Sequence, residues 1–100
     1  MKILLICAAG MSTSLVVEKM KNALGEDEKD VVIKAEAAED FEDVVENYDV
    51  VLLGPQIRFR KKEFGLLTKK PIGIIDTMDY GLCRGDKILQ QAKELLNSSI

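Results

Sequence analysis

Cys7 closes the apolar run Lys2–Ile6 and opens the stretch Ala8-Ala9-Gly10-Met11-Ser12-Thr13-Ser14. A core cysteine would lie inside the run, and a disulfide cysteine would want a partner. Here the thiol stands at the seam between a strand-like segment and a loop of small and hydroxyl residues. Ala8, Ala9 and Gly10 have almost no side chain, so their backbone N–H groups can point into the loop. Ser12, Thr13 and Ser14 add hydroxyls and can cap a helix that begins near Ser14. The start of that helix carries about half a positive charge. Together these features form an anion cradle around a sulfur, and its field favours thiolate over thiol. A nucleophile that accepts a phosphoryl group needs both: an ionised sulfur and donors for the oxygens it receives. The reading requires inward-facing amides beside Cys7. The bland alternative is a small buried hydrophobe at a strand end, the usual fate of a free cysteine. Position, loop composition and helix start together outweigh it.

Other chemistries fit poorly. The chain has no histidine, so it lacks the commonest general base and zinc ligand. The absence of histidine argues against zinc enzymes and against Ser/His or Cys/His hydrolases. Covalent chemistry falls on Cys, Ser, Asp, Glu or Lys. Cys7 and Cys83 are far apart and make neither CxxC nor a metal-ligand spacing, so no metal is expected. Neither GxxxxGK[ST] nor GxGxxG occurs. A small cysteine phosphatase of the low-molecular-weight type wants a similar cradle closed by an arginine, as in CxxxxxR; Thr13 stands there instead. Without that guanidinium, hydrolytic turnover should be poor. A phosphate cradle that hydrolyses poorly is a phosphate carrier. A thiol sensor using Cys7 and Cys83 ranks third, and Cys83 is read as structural.

The elements that must position Cys7 follow from hydrophobic patterning. "KILLI", Val31–Glu36, "DVVLLGP" and Pro71–Asp76 read as strands, and the most apolar of them are covered on both faces. Leu15, Val16, Met20, Ala23 and Leu24 recur at helical spacing, with Gly25 as the stop. Phe41, Val44 and Val45 mark a second helix. Ile57, Phe64 and Leu67 mark a basic third, and Ile88, Leu89, Ala92, Leu95 and Leu96 the last. The order β-α-β-α-β-α-β-α predicts an α/β fold, a single three-layer domain over residues 1–100 with a parallel sheet and helices on both faces. In such sheets ligands bind beyond the carboxyl ends of the strands, where strand order reverses. Three loops meet there: Cys7–Ser14, Gly54–Gln56 and Asp76–Arg84.

Several residues on that rim are further candidates. Asp76 and Asp79 could act as general acids, although turn and cap duty is commoner. Tyr80 could contact the phosphate or a partner. Gln56 could donate to the phosphate or simply begin its helix. Met11 is an apolar residue suited to an adaptable docking surface. Charge is segregated: residues 26–49 hold eleven acids and two lysines, and residues 58–70 hold six basic residues and one acid. Such faces steer protein partners or are plain solvated surface.

At a net charge of −3 no nonspecific nucleic-acid binding is expected. No apolar run approaches the roughly 20 residues of a membrane helix. With no signal-peptide cleavage site, the expected location is the cytoplasm, where both thiols stay reduced.

"CAAGMSTSLVV", "DVVLLGPQI" and "PIGIIDTMDYG" closely resemble the enzyme IIB component of the bacterial sugar phosphotransferase system, lactose/cellobiose/chitobiose class. The resemblance spans nearly the whole chain. It implies a four-stranded parallel sheet in the order 2-1-3-4 and a phosphocysteine carrier, with the family's cysteine on Cys7 and its phosphate loop on Ala8–Ser14. A IIA component would donate from a phosphohistidine, and a sugar held in the membrane-embedded IIC component would accept. The sugar implied is cellobiose, chitobiose or another β-linked disaccharide. No cofactor, metal or membrane insertion is implied, only transient residence at the inner face of the cell membrane. The donor histidine must come from outside, since this chain has none. "RFRKKEFG" after "GPQI" is more basic than the resemblance carries over.

Overall fold

The computed structural model describes residues 1–7 and 13–98. Four parallel strands, β1 (Lys2–Cys7), β2 (Val32–Ala37), β3 (Val50–Leu53) and β4 (Ile72–Ile74), form one sheet in the order β2-β1-β3-β4. The central strands β1 and β3 are the continuous apolar runs. Ile3 to Ile6 and Val50 to Leu53 are each fully buried, as expected of strands covered on both faces.

Side-chain alternation divides the core into two layers. Ile3, Leu5, Val50 and Leu52 pack with Val16 and Met20 of α1 (Thr13–Asn22) and Ile88, Leu89 and Ala92 of α5 (Gly85–Ser98). Leu4, Ile6, Val51 and Leu53 pack on the other face with Phe41 of α2 (Phe41–Val44), Phe64 of α3 (Lys61–Gly65), and Val45, Tyr48 and Ile57. The Phe41 and Phe64 rings meet at 4.4 Å between centroids. The Arg60 guanidinium lies 4.7 Å over the Phe64 ring and is forked onto Glu63. Truncating either ring to alanine costs about 3–5 kcal/mol.

Two glycines permit close approaches. A Cβ on Gly85 would sit 2.3 Å from the Lys19 carbonyl carbon, so α5 can begin against the backbone of α1 only without a side chain there. A Cβ on Gly73 would sit 2.3 Å from Leu95 Cδ1. At that point Gln91 Nε2 donates to the Ile74 carbonyl at 2.7 Å, which occupies an acceptor on the edge strand β4.

The strand order and the helices on both faces are as predicted. Several local readings need correction. Helix α1 ends at Asn22, not at Gly25. Its last turn tightens through Ala23 and Leu24, whose N–H groups donate to Met20 and Lys21. Gly25 instead starts a 3-10 turn, Glu26–Glu28, whose Glu28 carboxylate accepts from the Gly25 N–H. Leu15 is 49 % exposed, because the buried stripe of α1 runs through Val16 and Met20. The basic segment is not one helix: a 3-10 stretch, Pro55–Arg60, breaks helical geometry at Ile57 (φ −118°, ψ 21°) before α3. Leu67 lies beyond α3 and is exposed. The exit of β4, read as a loop, contains a fifth helix, α4 (Thr77–Gly81).

Candidate functional site

The chain leaves β1 for β2 on one side and returns to β3 on the other, so strand order reverses between β1 and β3. A crevice at the carboxyl ends of these two strands is the expected ligand position. The register aligns Ile6 with Leu53 and Leu53 with Ile74. The next residues outward are Cys7, Gly54 and Ile75, with Asp76 one step beyond. Thus the ends of β1, β3 and β4 form one rim.

Cys7 is the last residue of β1 and is 2 % exposed. It is more enclosed than a surface nucleophile. Alternation places it on the side of Ile3 and Leu5, the side α1 covers. Neither Cys7 nor Cys83 is in a disulfide. The residues expected to form the anion cradle, Ala8, Ala9, Gly10, Met11 and Ser12, lie outside the described residues. The same holds for the side chain of Thr13, although its backbone opens α1. Ser14 is exposed in the first turn of α1 and borders, with Val17 and Lys21, the groove beside β2.

Gly54 connects Cys7 to the second loop. Its N–H donates to the Ile6 carbonyl at 2.8 Å. A Cβ built on it would lie 3.5 Å from Cys7 Cβ and 2.9 Å from Gln56 Oε1. The Gln56 amide therefore folds back over Gly54, toward the cysteine, although the residue is otherwise exposed.

Asp76 caps α4: its Oδ1 accepts from the Met78 and Asp79 N–H groups at 2.9 and 3.2 Å. This is the capping role, with the carboxylate turned onto its own helix. The Asp79 carboxylate pairs with Arg84 Nη1 at 3.5 Å, and its carbonyl accepts from the Arg84 N–H. Tyr80 is only 8 % exposed, with its ring in the core beside α1 and α5. It also borders an open cleft of ≈ 530 Å³ formed with Pro55, Gln56, Arg58, Thr77 and Gly81. Arg58 and Thr77 at this cleft were not singled out in the sequence. Thr77 is hidden by the unrecognised α4, and Arg58 by the break at Ile57. Cys83 has a left-handed backbone (φ 51°) and packs against the α1/α5 layer, a structural placement. Among the described residues, no group of three or more carboxylates or thiols is placed to hold a metal ion.

A family model described as the lactose/cellobiose-specific IIB subunit of the phosphotransferase system matches residues 2–91. The chain belongs to this family. It is therefore the IIB phosphotransferase component of a sugar phosphotransferase system, a class that works with IIA and IIC components. It is 43% identical over 103 residues to the galactose-specific EIIB component of Lactococcus lactis subsp. cremoris, covering 95% of each chain. It is 42% identical over 103 residues to the cellobiose-specific EIIB component of Lactococcus lactis subsp. lactis, again covering 95% of each. It is 37% identical over 98 residues to the oligo-beta-mannoside-specific EIIB component of Bacillus subtilis, with the same coverage. Among solved structures, the cellobiose-specific IIB protein of Borrelia burgdorferi superposes with a TM-score of 0.81 at 43% identity, covering 99% of this chain and 94% of that one. The lactose-specific IIB domain of Streptococcus pneumoniae superposes with a TM-score of 0.82 at 23% identity, covering 95% and 96%, which is a likeness of fold. Among the described residues no helix is long and apolar enough to cross a membrane.

Proposed function

We propose that Cys7 carries the phosphoryl group, taking it from a phosphohistidine of a IIA component and giving it to a sugar held by the membrane-embedded IIC component. The observation that carries this reading is the position of Cys7: last in β1, at the strand-order reversal, directly before the segment that leads into α1. In the first step the Cys7 sulfur gives up its proton and bonds to phosphorus as the phosphorus–nitrogen bond of the donor breaks. The departing imidazole nitrogen takes the electron pair of the broken bond and accepts the proton that sulfur gave up. In the second step a sugar hydroxyl bonds to phosphorus, the sulfur–phosphorus bond breaks, and the hydroxyl proton returns to sulfur. Both steps pass through a loose transition state whose charge lies on the equatorial oxygens, so positioned N–H donors supply most of the catalysis. Ala8–Ser14 would supply them, with the α1 N-terminus behind and Gln56 at the side. The enclosure of Cys7 suits a carrier, because water that reached the phosphothiolate would waste it.

The domain spans residues 1–100 and works in the cytoplasm, visiting the inner face of the membrane where IIC holds the sugar. The sugar is cellobiose, chitobiose or another β-linked disaccharide. The relatives named for cellobiose and oligo-beta-mannoside support that class, whereas the one named for galactose, a monosaccharide, lies outside it.

The test is reconstitution. The chain is combined with a IIA component and with membranes containing a IIC component of this class, and phosphorylated sugar is measured. Phosphorylation of a β-linked disaccharide, lost with Cys7→Ser, is the expected result. Steady release of phosphate from an aryl phosphate, with no transfer to sugar, would favour the phosphatase alternative.

A further inference from the structure

We infer that Arg58 binds the phosphoryl group on Cys7 and supplies the guanidinium that the Cys7 loop lacks. This rests on the phosphocysteine reading above.

Three observations converge on Arg58. First, its place is set by the break at Ile57. The Ile57 side chain is buried in the α2/α3 layer, and its non-helical backbone ends the first turn after Pro55. Arg58 follows this anchored residue and borders the open cleft with Gln56, Thr77 and Tyr80. Second, the cleft adjoins the strand end that carries Cys7: Gln56 Oε1 and Cys7 Cβ both lie close to the position a Cβ on Gly54 would take. Third, Arg58 makes no ion pair among the described residues, whereas the other two arginines are committed. Arg60 is forked onto Glu63 and stacked on Phe64. Arg84, on the same rim, pairs with Asp79. Lys69 and Lys70 border a different cleft, with Glu46 and Leu66. An exposed guanidinium beside a site that acquires a dianion has a ready counter-ion, and its fork matches phosphate oxygens.

The consequence is thermodynamic. If Arg58 holds the phosphoryl group, it stabilises the phosphorylated chain itself and shifts the equilibrium of phosphoryl exchange with IIA toward this chain. If Arg58 only helped IIA to dock, it would change the rate of approach to that equilibrium and leave the constant unmoved, because the constant compares separated proteins.

The experiment uses the full chain and its IIA component. Phosphorylated IIA is mixed with wild type, Arg58→Gln or Arg58→Lys, and the phosphorylated fraction of each protein is read by intact mass at equilibrium. Mapping of the wild-type group to Cys7 comes first; a group found elsewhere overturns the phosphocysteine reading and this inference with it. With the group on Cys7, Arg58→Gln should lower the exchange constant about tenfold, the order expected for one charge-assisted contact to phosphate. Arg58→Lys should recover part of that loss, because it keeps the charge without the fork. The difference should shrink as salt is raised. An unchanged constant for Arg58→Gln at low salt, with or without a slower approach, overturns the inference and leaves the phosphocysteine reading standing.

Discussion

Gly54→Ala separates fold from site. The Gly54 backbone (φ −60°, ψ 148°) is one that any residue adopts, so glycine is not required for conformation. An added methyl would lie 3.5 Å from Cys7 Cβ and 3.6 Å from the Ile6 carbonyl oxygen, both ordinary contacts. The one close contact is 2.9 Å to Gln56 Oε1, the end of a flexible, exposed side chain that can swing away. Stability should therefore hold, or rise by about 0.4–1 kcal/mol from reduced freedom of the unfolded chain. If the Gln56 amide donates to the transferred group, as proposed, displacing it removes that donor. A hydrogen bond to a charged group contributes about 1.5–3 kcal/mol. Solvent at this exposed position brings that to the low end, which is about tenfold in rate. The assay pairs urea unfolding with the rate of phosphoryl uptake from phosphorylated IIA, using Gln56→Ala as the reference. The expected result is unimpaired stability with both variants slowed by a similar factor. A loss of more than about 1 kcal/mol in Gly54→Ala would contradict the contact argument. Unchanged uptake in both variants would remove Gln56 from the site.

Three other perturbations have defined outcomes. Asp76→Asn keeps a cap-competent side chain, so stability and uptake should both stay near wild type, whereas Asp76→Ala should lose about 1 kcal/mol in urea unfolding; a large loss of uptake in Asp76→Asn would mark Asp76 as a proton donor. Gly85→Ala forces a methyl into the α1 backbone and should cost about 1–3 kcal/mol, with the melting temperature falling about 4–8 °C per kcal/mol; an unshifted melt would refute the helix contact. The hydrogen bond from Lys93, then that from the Gly25 N–H, holds the Glu28 carboxyl below its usual 4.5. A carboxyl depressed on folding contributes stability that is present above its unfolded value and lost as pH falls through its folded one. Lys93→Met should therefore be slightly less stable than wild type at neutral pH and should converge with it on acidification; a gap that widened toward acid would contradict the assignment.

The sheet was legible because β1 and β3 are uninterrupted apolar runs, a pattern that both-face burial imposes directly. The strand order came from the family resemblance rather than from periodicity. The role of Cys7 as the end of β1 was readable from the change of composition after Ile6. Helix α4 was not, since five residues give no helical period; its signal was the Asp76 cap. Tyr80 looked like a rim residue from its place after β4; it does border the rim cleft, and the turn of α4 also carries its ring into the core. Leu15 looked like part of the α1 stripe, yet the packing of α1 against α5 and the sheet uses only Val16 and Met20 fully. The position of Arg58 depends on one non-helical residue, Ile57, and on how the Pro55–Arg60 stretch and α4 together line one cleft, which is tertiary information.

The account stands on the sulfur of Cys7, and locating the phosphoryl group tests it most directly. The chain is phosphorylated with phosphorylated IIA, digested under conditions that preserve the linkage, and mapped by mass. The account predicts one phosphoryl group per chain, on the peptide containing Cys7, and none in Cys7→Ser. A group on any other residue, or normal uptake by the serine variant, would contradict it.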